Sequence, residues 1–244
     1  VLENKIKNPL EQKHIQTKEM VFYLAAIFFY TMMTGMVGSY RQAYLVNVLR
    51  MADDQVSFYN GFLSIAGFVM SFVYALIIDN RKIGKRGKFI PIVNAVAIPM
   101  GIVTMLLFYT PDGLAGTLLM IYLISIGMIH GACCSFGNAI NLVSYVTTPN
   151  NKERDKVISF RSISSAVGNS APLVVIMVVG IFTKDEGLKY IILSIVCSFV
   201  AVIFMLLAAN VVKERVTYSQ ETQNPILGFF HVIKNKYAII VLIS

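Results

Sequence analysis

LKYIILSIVCSFVAVIFMLLAANV, running from Leu188 to Val211, holds one lysine and no acid in 24 residues. A helix of that length rises about 36 Å at about 1.5 Å per residue, enough to cross a hydrocarbon core of about 30 Å. In such a core every backbone amide must be satisfied within its own segment or in a closed barrel. The run is more than twice the ~9–11 residues of a barrel strand, so it reads as a membrane helix.

Working outward, five more apolar runs precede it, at 20–49, 56–78, 89–109, 114–147 and 157–182. Charged and breaker residues separate them: Asp53-Asp54 before the second span, Pro111-Asp112-Gly113 before the fourth, Pro149-Asn150-Asn151 before the fifth. Such residues stop and cap helices. The whole chain agrees with this reading. Its 244 residues are 56% hydrophobic and 14% charged, with no tryptophan and a mean hydropathy of +0.67. A soluble domain has roughly 45–50% apolar and about 25% charged residues, so a cytosolic enzyme is excluded on composition. Cys133, Cys134 and Cys197 all lie in apolar runs and form neither a disulfide framework nor a zinc pattern.

The net charge of +8 reflects topology rather than nucleic acid, which is not an expected partner. With the N-terminus inside, 16 of the 21 Lys and Arg residues fall in cytoplasmic segments, chiefly at Arg81–Lys88, Lys152–Lys156 and the two ends. Residues 1–18 are polar, with no apolar core of a signal peptide, and form a cytoplasmic N-terminal segment. Residues 19–211 form a six-helix bundle in an all-α membrane fold, and 212–224 form a cytoplasmic connecting loop. Residues 225–244 begin a seventh helix. Its last run, Tyr237 to Ser244, is too short to cross a membrane and is expected to continue beyond Ser244. Six helices, a loop and a new helix match the start of a two-half transporter.

Two motifs carry a family resemblance. Between spans two and three the chain reads Asp79-Asn80-Arg81-Lys82-Ile83-Gly84-Lys85-Arg86-Gly87-Lys88-Phe89-Ile90-Pro91. This resembles the signature loop of the major facilitator superfamily. Its ending is similar to that of the glycoside-pentoside-hexuronide:cation symporter family, the melibiose permease-like branch. Thr148-Pro149-Asn150-Asn151-Lys152-Glu153-Arg154-Asp155, followed by Phe160-Arg161 and Gly168, resembles that family's loop between helices four and five. The resemblance implies twelve helices in two bundles that alternate access to a central site. This chain would supply the N-terminal bundle, with a C-terminal six-helix half as its partner. It also implies carboxylates within helices one, two and four. Here no Asp or Glu lies inside the six spans, which argues against sodium coupling.

The polar residues inside the spans fall on faces. Tyr23, Tyr30, Thr34 and Arg41 share one face of the first span. His130, Cys134, Asn138, Asn141 and Tyr145 share one of the fourth, and Arg161, Ser165, Gly168 and Pro172 one of the fifth. Asn60, Ser64, Gly67 and Ser71 line the second. Spans one, two, four and five are therefore expected to line a cavity, with three and six facing lipid. Small residues also serve as helix-packing contacts, and both arginines lie near enough to span ends to snorkel.

The functional expectation is a secondary transporter in the plasma membrane that moves a sugar-like solute, anionic because Arg41 and Arg161 face no carboxylate. Substrate-binding candidates are Arg161, Arg41, Tyr30, Thr34, Asn138 and Asn141, with His130 as a proton-coupling site. Asp79, Arg81, Lys85, Arg86 and Arg154 are expected to form a gating charge cluster. No cofactor, metal or catalytic residue is expected: the sequence has no H-E-x-x-H, G-x-S-x-G or buried acid pair. An exporter of amphipathic compounds and a non-transporting sensor or scaffold are the alternatives.

Overall fold

The computed structural model describes residues 12–216, apart from the side chain of Asp79. The expected helix at 225–244 and most of the N-terminal segment and connecting loop lie outside the described residues. Within them the chain is all-α. The helices are α1 (Thr17–Ala43), α2 (Asp53–Asn80), α3 (Ile90–Leu106), α4 (Gly116–Gly137), α5 (Ala139–Val146), α6 (Asn151–Phe182) and α7 (Glu186–Val211). α1 runs on into a π-helical turn, Tyr44–Val48. Five segments are long and apolar enough to span a membrane, α4 and α5 counting as one, while α3 is a shorter apolar helix.

Local chemistry sets the ends. The Asn150 side chain accepts from the Lys152 and Glu153 amides at 3.0 and 3.3 Å, and Asp185 accepts from the Leu188 amide at 3.0 Å. Both are N-caps of the expected kind. The fourth span departs from a single helix. After Gly137 the Asn141 amide bonds to the Asn138 carbonyl at 3.0 Å, an i+3 contact that tightens the turn and separates α4 from α5.

The helices form an arc. α2 packs on α4, α4 on α3, α3 on α7, α7 on α1 and α1 on α6, with α5 touching both α3 and α6. Two apolar clusters fill it. One, around Ile27, Met33, Met100, Ile140 and Met205, lies toward the end that carries the basic α2–α3 and α5–α6 connections, hereafter the basic end. The other, around Met36, Leu45, Tyr59, Phe108 and Leu193, lies toward the opposite end.

The α1–α6 seam is closest at Gly168, where a β-carbon would collide with the Phe28 carbonyl and the Thr31 hydroxyl, and at Gly35, where it would meet Asn169. Ser164 Oγ donates across the seam to the Leu24 carbonyl at 2.7 Å. Gly168 is thus a packing residue. Ser64 and Ser71 are exposed on α2, and Gly67 has open space around it, because α2 meets α4 with its other face. α3 and α7 turn only part of their surface outward. α7 exposes Ile195, Phe199 and Ile203 but buries Leu193, Cys197, Ala201 and Met205.

Candidate functional site

The six expected binding residues do not meet in one place. Arg161, Asn138 and Asn141 gather in one cluster and Arg41 stands in another, while Tyr30, buried in the core, and Thr34 belong to neither. The Tyr30 ring lies against Gly137, where a β-carbon would come within 3.3 Å of it. The Thr34 hydroxyl is spent on its own helix, donating to the Tyr30 and Thr31 carbonyls at 3.2 and 3.3 Å.

The first cluster joins α1, α2 and α4. Arg41 does not snorkel. Its guanidinium carbon stands 4.4 Å from the centre of the Tyr59 ring on α2, a cation–π contact that strengthens as water is excluded. Gly127 of α4 lies beside it as well: a β-carbon there would collide with the Leu63 side chain and come within 3.2 Å of Arg41 Nη2. Nε and Nη2 of Arg41 are both buried without a hydrogen-bond partner, and so is the hydroxyl of Tyr59, a fully buried residue. One turn deeper on α4, His130 Nε2 lies 3.4 Å from Cys134 Sγ. His130 and Cys134 are the polar side chains of α4 near Arg41. The cluster is cationic, and its donors outnumber its acceptors.

The second cluster joins α5 and α6. Arg161 Nη1 donates to the Asn141 carbonyl at 2.7 Å and to Ser144 Oγ at 3.4 Å, with the Tyr145 ring 5.6 Å from its guanidinium carbon. Asn141 Nδ2 donates to Asn138 Oδ1 at 2.7 Å, and Tyr23 donates to the Ile140 carbonyl at 3.2 Å. Arg161, Asn138 and Asn141 are brought together, but the arginine's charge is turned to a backbone carbonyl. That carbonyl lies in the first turn of the short helix α5, and the contact ties α6 to it.

At the basic end Arg81, Lys85 and Arg86 are exposed, and Arg154 bonds to Asn151 Oδ1 at 2.7 Å. The side chain of Asp79 lies outside the described residues. Among those residues the ion pairs are Lys189–Glu186 at 2.6 Å and Arg215–Glu19 at 2.8 Å. Three acids hold this end together. Glu19, buried in the first turn of α1, pairs with Arg215, which also donates to the Thr147 carbonyl at 3.3 Å. Glu153 accepts from the His14 and Ile15 amides at 3.1 and 3.0 Å and from Thr148 Oγ1 at 2.6 Å.

Glu214 accepts from the amides of Lys88, Phe89 and Ile90 at 2.7, 2.8 and 2.6 Å, capping the start of α3. Gly87 at φ 93° brings that loop against it, and any side chain there would strike Glu214. Glu19, Glu214, Arg215 and Tyr59 are absent from the sequence-derived candidates. The signal available for three of them was an acid at the edge of the first span and the Lys213-Glu214-Arg215 triplet just past the sixth.

Among the described residues no group of three His, Cys, Asp or Glu side chains is arranged to hold a metal ion. No curated protein matches the chain at a significant level. A family model described as MFS/sugar transport protein matches residues 22–244.

Proposed function

The chain belongs to the major facilitator superfamily, and from that membership as a multi-pass membrane transporter we propose that it carries an anionic sugar, such as a hexuronide, by alternating access. The observation behind the charge assignment is Arg41, whose buried Nε and Nη2 have no acceptor in spans that contain no acid. A guanidinium left in that state is costly unless something anionic visits it. The loop Gly87–Pro91 and the segment Thr148–Asp155 favour the glycoside-pentoside-hexuronide branch.

In this reading the basic end is cytoplasmic, the membrane is the plasma membrane, and a second six-helix half completes the path. Asp79, Arg81, Lys85, Arg86 and Arg154 act as reversible contacts at the moving end. His130 takes the coupling proton. The groups facing it are Arg41 and Cys134, so a proton on the imidazole and an anion beside the guanidinium favour one another by charge. No cofactor takes part.

The test is uptake into liposomes containing the purified protein. Glucuronate is expected to enter at least tenfold faster than glucose, and faster still under an inward proton gradient. Equal rates would refute the anionic assignment. The exposed phenylalanines of α2, Phe58, Phe62, Phe68 and Phe72, favour a second reading, export of amphipathic compounds. Extrusion of a lipophilic dye without sugar uptake would establish that instead.

A further inference from the structure

We propose that the acid group of the solute is seated by Arg41 and Tyr59, between α1, α2 and α4, and that Arg161 serves packing instead. The inference rests on the transporter reading above and adds to it which arginine reads the charge.

A guanidinium offers two kinds of edge. Nε and Nη2 lie on the same side of the group, and their N–H bonds form the parallel fork that matches the two oxygens of a carboxylate. Those two nitrogens of Arg41 are the pair left without acceptors. Its flat face is already engaged, since the Tyr59 ring covers it at 4.4 Å. Packed on Tyr59 with Nε and Nη2 buried, the group does not swing to the headgroups for water. The Tyr59 hydroxyl, buried and unpartnered on the ring that carries the guanidinium, supplies a third donor. Three buried donors, two of them on one cation, with no acceptor among the described residues make a seat for an oxyanion. Buried polar groups in native proteins are otherwise nearly all satisfied.

Arg161 differs in each respect. Its Nη1 is committed to the Asn141 carbonyl at 2.7 Å and shared with Ser144. A solute binding there would have to replace a contact that joins two helices, whereas at Arg41 it fills donors that have none.

The experiment compares liposome uptake of glucuronate and glucose by the wild type, Arg41→Lys, Tyr59→Phe and Arg161→Lys. Lysine keeps the charge but not the fork. Arg41→Lys is expected to raise the KM for glucuronate at least tenfold and that for glucose less than twofold. Tyr59→Phe, which keeps the ring under the guanidinium, is expected to raise the glucuronate KM about threefold. Arg161→Lys is expected to affect both sugars alike. If the preference for glucuronate survives Arg41→Lys and Tyr59→Phe but falls in Arg161→Lys, the seat is wrong while the anionic-sugar reading stands. If the wild type shows no preference, both fail. If Arg41→Lys lowers the melting temperature but leaves the preference intact, an acid from elsewhere in the protein fills the fork, and the proposal is overturned.

Discussion

Replacing Glu214 by glutamine removes the charge from a carboxylate that caps α3 from 125 residues away. In the native protein Oε1 accepts from Phe89 and Ile90 at 2.8 and 2.6 Å, and Oε2 accepts from Lys88 at 2.7 Å. Glutamine keeps one oxygen and offers an NH2 group in place of the other. One amide therefore loses its acceptor outright, and the remaining bonds drop from charged to neutral. Charge-assisted bonds contribute about 1.5–3 kcal/mol and neutral ones about 0.5–1.5 kcal/mol. The favourable field at the start of α3 adds a few tenths. Water reaches this half-buried site and recovers part of the loss, which leaves a net cost of about 2 kcal/mol.

That cost corresponds to roughly a thirtyfold rise in local opening and a melting temperature lower by about 4–8 °C. Hydrogen exchange of the Lys88, Phe89 and Ile90 amides measures it directly. Glu186→Gln is the control, because its pair with Lys189 lies on the exposed first turn of α7, where such contacts contribute little. Protection at residues 88–90 within threefold of wild type would refute the cap as a stabilising contact.

Two further outcomes are expected. Gly168→Ala places a methyl group against the Phe28 carbonyl and the Thr31 hydroxyl and should cost about 1–3 kcal/mol. Gly67→Ala, in open space, should be neutral or slightly stabilising; equal melting curves would remove the seam from the account. Asp79→Asn should shift the inward–outward balance, read by cysteine labelling from each side, with little change in expression. Unchanged labelling and transport would count against the gating role of that end.

The spans were legible because hydropathy over twenty or more residues outweighs local detail. Asn150 was legible as a cap because capping acts over two or three residues. The break at Asn138 was not, since it depends on a single i+3 contact within an apolar run. The two arginines looked equivalent in sequence. Their difference comes from neighbours on other helices, Tyr59 and Gly127 for one and the Asn141 carbonyl for the other, and no periodicity on a single helix encodes it. Glu214 escaped for the same reason at greater range: its partners lie across the fold, 125 residues earlier in the sequence at Phe89 and its two neighbours.

The segment after α7 does not leave the bundle where the helix stops. The amides of Arg215 and Val216 donate to the Val146 carbonyl at 2.8 and 2.9 Å, so the chain is fastened for five residues past Val211. A free strand of five residues would span about 17 Å. Fastening it takes that much slack out of the leash to whatever follows, whose sampling volume is then centred on the α5 terminus rather than on α7. The reach of any chain beyond Val216 is thereby measured from that point, and lengthening the chain after Val216 should widen it, whereas lengthening it before Glu214 should first undo the fastening.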